Sequence, residues 1–354
     1  MDYQEFVQLC NKLKQDGIHK VSELLKNIDI NAQDNSGYSL LMRSCFDGDL
    51  EITKLLISDP RADFKLQSND KETPFYLACE GGRSSIVKLM LEMKDVDINE
   101  VNTYKQSPLM TACSLGHTEI VKLLLNDERL NINAENRSGE TAFFLACRNR
   151  KSDTVFSMLK KQNLDINKGP SYGSTPLINA CSHGILKTVQ MILDDSRLKT
   201  LNFRDNDGRT AVHIACAKGK ILVVKLLLQR QDLDLNIVDN FGSTALISAC
   251  RNGYFETAKW IIGSRHEILI NVKNGSGKKA IDYVRERIVE KEEKEEDDEY
   301  HKLVKIVKIL EQFEKDPENT RTQLRIELGL TGSESANIFL LIVLVSDDYL
   351  KVKG

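Results

Sequence analysis

The residues in this sequence best suited to chemistry are eight cysteines, whose thiols are able to form disulfides, bind zinc or act as nucleophiles. Successive cysteines are separated by 34 or 35 residues throughout the series. So regular an interval indicates a repeated structural unit with one cysteine at the same position in each copy. The cysteines are Cys10, Cys45, Cys79, Cys113, Cys147, Cys181, Cys216 and Cys250.

The interval argues against both disulfides and zinc. Equivalent residues of neighbouring repeats lie on packed helices, whose axes are ~8–10 Å apart, whereas a disulfide needs Cα atoms within ~7 Å of each other. No pair of cysteines has the Cys-x2-Cys spacing of a zinc site, and no histidine shares the period. We therefore expect each thiol to be reduced and packed between helices as a small apolar residue.

No other residue pattern predicts catalysis, and we expect a non-catalytic protein without metal or cofactor. The six histidines are scattered without ligand spacing, and the sequence has no nucleophile elbow or dinucleotide motif. The segment Gly275-Ser276-Gly277-Lys278 resembles a phosphate loop only superficially, because the closing Gly-Lys-Ser/Thr is missing. An enzyme with a cryptic site in the C-terminal tail is a weak alternative.

Alignment on the cysteines reveals the rest of the unit. About six residues before each cysteine stands Thr-Pro, Ser-Pro or Thr-Ala, which starts a helix well because the hydroxyl caps free N–H groups. A glycine three residues after the cysteine ends this helix in the left-handed conformation, and an apolar run at helical spacing predicts a second helix. The unit closes with a turn sequence that favours a hairpin, preceded by an asparagine at Asn31, Asn99, Asn133, Asn167, Asn202, Asn236 and Asn271.

This unit resembles the ankyrin repeat, whose signature includes T-P-L-H-x-A. The best match is Thr210-Ala211-Val212-His213-Ile214-Ala215, and the pattern recurs in register along the chain. The resemblance implies an all-α ankyrin-repeat solenoid of helix-turn-helix units with protruding β-hairpin loops. The predicted organisation is an N-terminal capping repeat over 1–34, seven repeats over 35–273, a C-terminal capping repeat over 274–313 and a C-terminal extension over 314–354.

Two positions depart from the signature. The signature histidine is present only as His213, so in the other repeats we expect apolar packing in place of the family's threonine–histidine hydrogen bonding. Arg150 stands where the other repeats have the helix-ending glycine. A non-glycine residue in the left-handed conformation costs ~1 kcal/mol, so the fifth repeat is predicted to be the weakest joint.

In the proteins that this sequence resembles, partners lie in a concave groove and contact hairpin tips and first helices. By register, the candidate partner-binding residues on the tips are Tyr38, Asp70, Glu72, Tyr104, Arg137, Tyr172, Arg209 and Phe241, and those on the helices are Phe46, Leu115, Arg148, His183, Lys218 and Arg251. Because aromatic residues and arginine dominate interface hot spots, we expect the aromatic rings to be exposed. The alternative is that individual rings fold over their own hairpins.

The charges at these positions change sign along the chain. Repeats two and three offer Asp47, Asp70, Glu72 and Glu80, whereas repeats five to eight offer Arg137, Arg148, Arg209, Lys218 and Arg251. Such polarity orients a partner more than it tightens binding. We expect a protein partner with an acidic segment over repeats five to eight. Charges that merely solvate the surface are the alternative.

The C-terminal end combines an acidic run with an apolar one. Residues 290–299 contain eight acidic residues and two lysines and interrupt the ninth unit as an extended helix or a loop. Asp316-Pro317 starts a helix that ends near Gly329. The apolar run 338–345 requires burial, and we expect the tail to cover the last repeat, with dimerisation, partner docking or a strand as alternatives.

Composition sets the broad class of the protein. The chain has 354 residues, with 49 basic and 52 acidic side chains and a net charge of −3, so it lacks the basic surplus of a nucleic-acid-binding protein. It shows neither a signal peptide nor the roughly 20-residue apolar segment of a membrane helix. We expect a soluble cytoplasmic monomer, with nuclear entry left open. The expected function is a protein–protein interaction scaffold or adaptor, and the alternative is a stoichiometric regulator that occludes an enzyme or transcription factor.

Overall fold

The computed structural model describes Leu25 and residues 28–199, 201–291 and 298–330. These residues form 17 helices, and the chain divides into two compact units, Met1–Ser171 and Tyr172–Gly354. Most of the predicted N-terminal capping repeat, most of the acidic run and the apolar run 338–345 lie outside the described residues.

The described residues of the first unit form four pairs of helices. Each first helix packs against the next first helix, and each second helix packs against the next second helix. The predicted repeat of two helices is therefore confirmed. The first helices are α1 (Leu40–Asp47), α3 (Pro74–Glu80), α5 (Pro108–Leu115) and α7 (Ala142–Arg148); the second helices are α2 (Leu50–Ser58), α4 (Ser84–Leu91), α6 (Thr118–Leu125) and α8 (Ser152–Leu159).

The second unit repeats this arrangement and adds a last helix. The first helices are α9 (Pro176–His183), α11 (Ala211–Ala217), α13 (Ala245–Arg251) and α15 (Ala280–Lys291); the second helices are α10 (Leu186–Leu193), α12 (Ile221–Leu227), α14 (Phe255–Ile262) and α16 (Asp298–Lys315). The last helix, α17 (Pro317–Glu327), packs on α14 and α16. The helix predicted after Asp316 is confirmed, and the Asp316 side chain accepts a hydrogen bond from the Asn319 N–H at 3.1 Å.

The ends of the first helices follow the predicted sequence signals. The Thr73 hydroxyl accepts a hydrogen bond from the Tyr76 N–H at 3.2 Å, with Pro74 in the first turn. The glycines after these helices have positive φ, as in Gly48 at 89°. Arg150 takes the same conformation with φ of 60°, which confirms that a non-glycine residue occupies the left-handed position in the fifth repeat.

The seven described cysteines form the predicted series of core residues. All are free and buried, and burial raises the pKa of Cys45 and Cys250 to about 12. Cys45 Sγ lies 3.9 Å from Met90 Sδ, and Cys113 Sγ lies 3.5 Å from Met158 Sδ. The expectation of reduced, packed thiols is confirmed for these seven.

The packing expected in place of the signature histidine is only partly apolar. Met42 and Met110 occupy the histidine position, and their sulfur atoms accept hydrogen bonds from the N–H groups of Ser39 and Ser107, each at 3.4 Å. Both methionines are buried, as the expectation of mostly apolar packing requires, and their thioether sulfurs also serve as weak acceptors.

The loop after the second helix contains an ion pair that the sequence did not lead us to predict. The Arg129 guanidinium contacts Asp127 at 2.7 Å and donates to the carbonyl oxygens of Leu91, Met93 and Val96. Arg129 therefore bonds the carbonyl of Leu91, the last residue of α4, and the carbonyls of Met93 and Val96 in the loop that follows. Hydrogen bonding from Arg129 holds the pKa of Asp127 below its usual value.

Candidate protein-binding surface

Backbone hydrogen bonds tie the hairpin tips of each unit together. In the first unit, the Asn69 N–H donates to the Ser36 carbonyl at 3.0 Å, and the Arg137 N–H donates to the Tyr104 carbonyl at 3.1 Å. In the second unit, the Asn240 N–H donates to the Asp207 carbonyl at 2.9 Å. A side chain on one tip is therefore held at a fixed spacing from its neighbour within the same unit.

The tip turns require a left-handed residue, which is glycine in most repeats. Lys71 and Lys105 take that position in repeats three and four, with φ of 62° and 57°. A non-glycine residue in this conformation is strained. Both lysines are exposed, so they add positive charge to the tips of the first unit at positions that we had not included among the candidates.

The first unit exposes apolar and charged side chains at several predicted positions. Tyr104 on its hairpin tip is 62% exposed, and Leu115 and Phe46, at the ends of α5 and α1, are 47% and 40% exposed. Asp70 and Arg137 are exposed on their tips. These residues present large apolar surfaces beside charge, which is typical of binding surfaces.

Tyr38 and Glu72 face each other instead of the solvent. The Tyr38 hydroxyl donates to Glu72 Oε2 at 2.8 Å, and the Arg43 guanidinium lies 4.5 Å from the centre of the Tyr38 ring. Tyr38 therefore neither points freely into solvent nor folds over its own hairpin, because its hydroxyl bonds Glu72 of the next repeat. Glu72 is only 8% exposed and also accepts from the Ser68 hydroxyl. The expectation that Glu72 offers its charge to a partner is wrong, because these hydrogen bonds hold the carboxylate inside.

Glu80 keeps an acidic character at the surface of α3. Its side chain is half-buried, and burial, together with the nearby Glu72 carboxylate, raises the pKa of Glu80.

Two of the five basic candidates are neutralised by acidic neighbours. Arg148 forms an ion pair with buried Glu140, and Arg209 contacts Asp205 at 2.9 Å and Asp207 at 2.7 Å. The expectation that both offer free positive charge is wrong, because each carboxylate lies on the hairpin next to its arginine. The sequence shows that these acidic residues are close to the arginines along the chain, but it does not show which side chains form ion pairs.

The second unit exposes a different pair of aromatic rings and two cations. Phe241 is 65% exposed and Tyr172 is 48% exposed on their hairpin tips. Lys218 and Arg251, at the ends of α11 and α13, are exposed and have no ion-pair partner among the residues that the structure describes. His183 is half-buried, and its Nδ1 lies 2.9 Å from the Asn179 carbonyl oxygen. The ring therefore forms a hydrogen bond within its own helix.

Other exposed apolar residues were not among the candidates. Phe203 is 46% exposed and Leu269 is 53% exposed, both near the bases of hairpins in the second unit. The position of Phe203 is occupied by Leu66, Ile237 and Val272 in some repeats and by Glu100 and Lys168 in others. Comparison of the repeats therefore does not single out Phe203 as a binding residue.

Comparison with known proteins identifies the repeat. The family model for ankyrin repeats, built on three copies of the repeat, matches residues 13–99, 41–136, 128–202 and 197–274. The chain belongs to the ankyrin repeat family. Ankyrin repeats are protein–protein interaction modules, and members of the family are typically non-catalytic.

A solved structure shows the same fold. The ankyrin repeat domain of Bcl-3, described as a unique member of the IkappaB protein family, has a TM-score of 0.54 and 23% sequence identity, over 61% of this chain and 95% of that chain. No curated protein sequence matches this chain significantly. Within the described ranges, no helix combines the length and apolar character that a membrane crossing requires.

Proposed function

We propose that this ankyrin repeat protein is a non-catalytic scaffold or adaptor that binds a protein partner through its hairpin tips and first-helix ends. The observation that carries the proposal is the exposure of Tyr104 and Phe241, 62% and 65%, on tips fixed by backbone hydrogen bonds. A rigid aromatic ring loses little conformational entropy when a partner covers it, so it is suited to anchor an interface.

The basic side chains that form no internal ion pair indicate the charge of the partner. Lys218 and Arg251 lie at the C-terminal ends of the first helices of neighbouring repeats in the second unit, one position apart in register, and both are exposed. We propose that they contact acidic side chains of the partner. Arg137, in the first unit, is an exposed cation of the same type, whereas Arg148 and Arg209 hold their own hairpins.

The test begins with capture of partners by the full chain from a cell lysate, followed by affinity measurement with the purified partner. The variant Tyr104→Ala with Phe241→Ala should lower the affinity at least tenfold, since hot-spot truncations cost about 2 kcal/mol or more. Leu222→Ala is the matched control, because Leu222 is 41% exposed but lies on a second helix. Equal loss in the control, or no loss in the tip variant, would contradict the proposed surface.

Charge reversal tests the acidic partner segment separately. Lys218→Glu with Arg251→Glu should weaken binding and reduce its salt dependence, and Lys273→Glu with Lys308→Glu, at two other exposed lysines of the second unit, should not. Reversal of Arg148 is unsuitable, because it would leave buried Glu140 without its partner.

The same measurements separate a scaffold from a stoichiometric regulator. A regulator changes the activity of the purified partner at a one-to-one ratio, whereas a scaffold leaves that activity unchanged and needs a third component.

A further inference from the structure

In several repeats, the asparagine that precedes the hairpin links its repeat to the next through a pair of hydrogen bonds. Asn31 Nδ2 donates to the Arg61 carbonyl oxygen at 2.7 Å, and Asn31 Oδ1 accepts from the Asp63 N–H at 3.0 Å. The same pair is made by Asn99, Asn133, Asn202 and Asn236. In each case, one carboxamide contacts a C=O and the N–H two residues later. We call this series of contacts the asparagine ladder.

Lys65 interrupts the asparagine ladder in the first unit. It occupies the position of Asn31 and Asn99, and the groups facing an asparagine lie 30 and 32 residues later, as they do for Asn31. For Lys65 these groups are the Asp95 C=O and the Asp97 N–H. Neither has a hydrogen-bond partner within the described part of the chain. A lysine ammonium has donors but no acceptor, so Lys65 is unable to pair with the N–H.

A cleft opens at the interruption. Its volume is about 520 Å³, and both unpaired backbone groups belong to residues in its wall. Two other polar side chains of the wall are already engaged, because Gln67 donates to Glu100 at 3.1 Å and Arg129 pairs with Asp127. The apolar part of the wall is formed by Phe64, Phe75, Val96 and Ile98.

We propose that this cleft binds a primary carboxamide from outside the chain, carried by an asparagine side chain of an extended partner peptide. An acceptor oxygen and a donor NH2 on one group match the Asp97 N–H and the Asp95 C=O, in the arrangement that the chain's own asparagines use elsewhere. The cleft is larger than one carboxamide, and the half-buried Phe64 in its wall offers apolar surface to neighbouring parts of a peptide. The site is independent of the hairpin tips and of the scaffold function proposed above.

The first test is a titration of the isotope-labelled full chain, followed by the NMR signals of backbone amides. N-acetyl-asparagine methylamide, used as the probe, should shift the Asp97 amide signal saturably in the millimolar range. The matched N-acetyl-aspartate methylamide lacks the donor NH2 and should shift that signal at least fivefold less. Absence of a saturable shift at Asp97, or equal shifts with both probes, overturns the proposal. Equal affinity for acetamide overturns the assignment of the occupant to a peptide.

A substitution provides the second test. Lys65→Asn supplies the missing carboxamide within the chain, so this variant should no longer respond to the asparagine probe. It should also raise the melting temperature of the chain, by about 2–4 °C if the two hydrogen bonds form as elsewhere in the ladder. Lys65→Ala removes the ammonium without adding a carboxamide and should keep the response to the probe. If Lys65→Asn binds the probe as the unmodified chain does, the site is not the missing position of the ladder.

Discussion

His213 Nε2 lies 3.1 Å from the Ser243 carbonyl oxygen of the next repeat, while its Nδ1 accepts from the Thr210 N–H at 3.2 Å. Because a carbonyl only accepts and a backbone N–H only donates, the ring is neutral with its proton on Nε2. His213 is 1% exposed, and burial lowers its pKa. Protonation of Nδ1 would remove the acceptor of the Thr210 N–H, so only the neutral ring makes both hydrogen bonds.

We predict that protonation of His213 destabilises the second unit at mildly acidic pH. The folded pKa lies below the unfolded value of about 6.5, so the unfolded state binds more protons below that pH. The contribution of the neutral ring is complete above pH 6.5 and is lost as the pH falls below it, by up to ~1.4 kcal/mol per pH unit. The check is the melting temperature between pH 7.5 and 5.5.

His213→Met is the matched control for that measurement. Methionine occupies the same position at Met42 and Met110, where its sulfur accepts from the N-terminal N–H of the helix. The variant should lose stability at pH 7.5 but show a smaller dependence on pH. Parallel curves for both proteins would contradict the role assigned to His213.

Arg150→Gly should stabilise the first unit. Arg150 has φ of 60°, a conformation that glycine adopts without a Cβ clash, and we expect a gain of about 0.5–1 kcal/mol in the free energy of unfolding. Urea denaturation measures the change. Arg150→Ala removes the charge but keeps the strain, so an equal gain from that variant would show that charge, not backbone conformation, is responsible.

Arg129→Ala should destabilise the first unit by about 1–2 kcal/mol, because it removes hydrogen bonds to the carbonyls of the preceding repeat. Lys122→Ala removes only an exposed 3.5 Å pair with Glu119 and should change stability by less than about 0.5 kcal/mol. Since the pKa of Asp127 is lowered by Arg129, the part due to this ion pair is present above pH ~4 and is lost below it. The difference between Arg129→Ala and the unmodified chain should therefore shrink in acid.

The seven described cysteines should resist alkylation in the folded protein. All are buried and have raised pKa values because of that burial, and the thiolate is the reactive form. Iodoacetamide at pH 8, followed by mass spectrometry of peptides, should label them only after denaturant is added. Rapid labelling of Cys113 in the native protein would show that the core between α5 and its neighbours opens locally.

The sequence by itself determined the repeat and its helices. The spacing of the cysteines, the threonine and proline before them and the glycine after them are local signals, because capping and left-handed conformation involve residues only a few positions apart. The conformation of Arg150 and the helix after Asp316 followed from the same kind of local rule. The exposure of Tyr104 and Phe241 also followed, because register alone places them on hairpin tips.

Only the tertiary structure decided which of these side chains are available. Tyr38 and Glu72 hydrogen-bond to each other across neighbouring repeats, and Arg148 forms an ion pair with Glu140. The backbone groups that an asparagine at position 65 would contact lie 30 residues or more along the chain, and only the tertiary structure shows the cleft beside them. Pairing between charged or hydrogen-bonding groups depends on distances of a few tenths of an ångström, whereas the repeat pattern specifies only the face on which a residue lies. Local sequence signals thus specify the helices and turns, whereas contacts between residues distant in sequence determine which surface side chains are available to a partner.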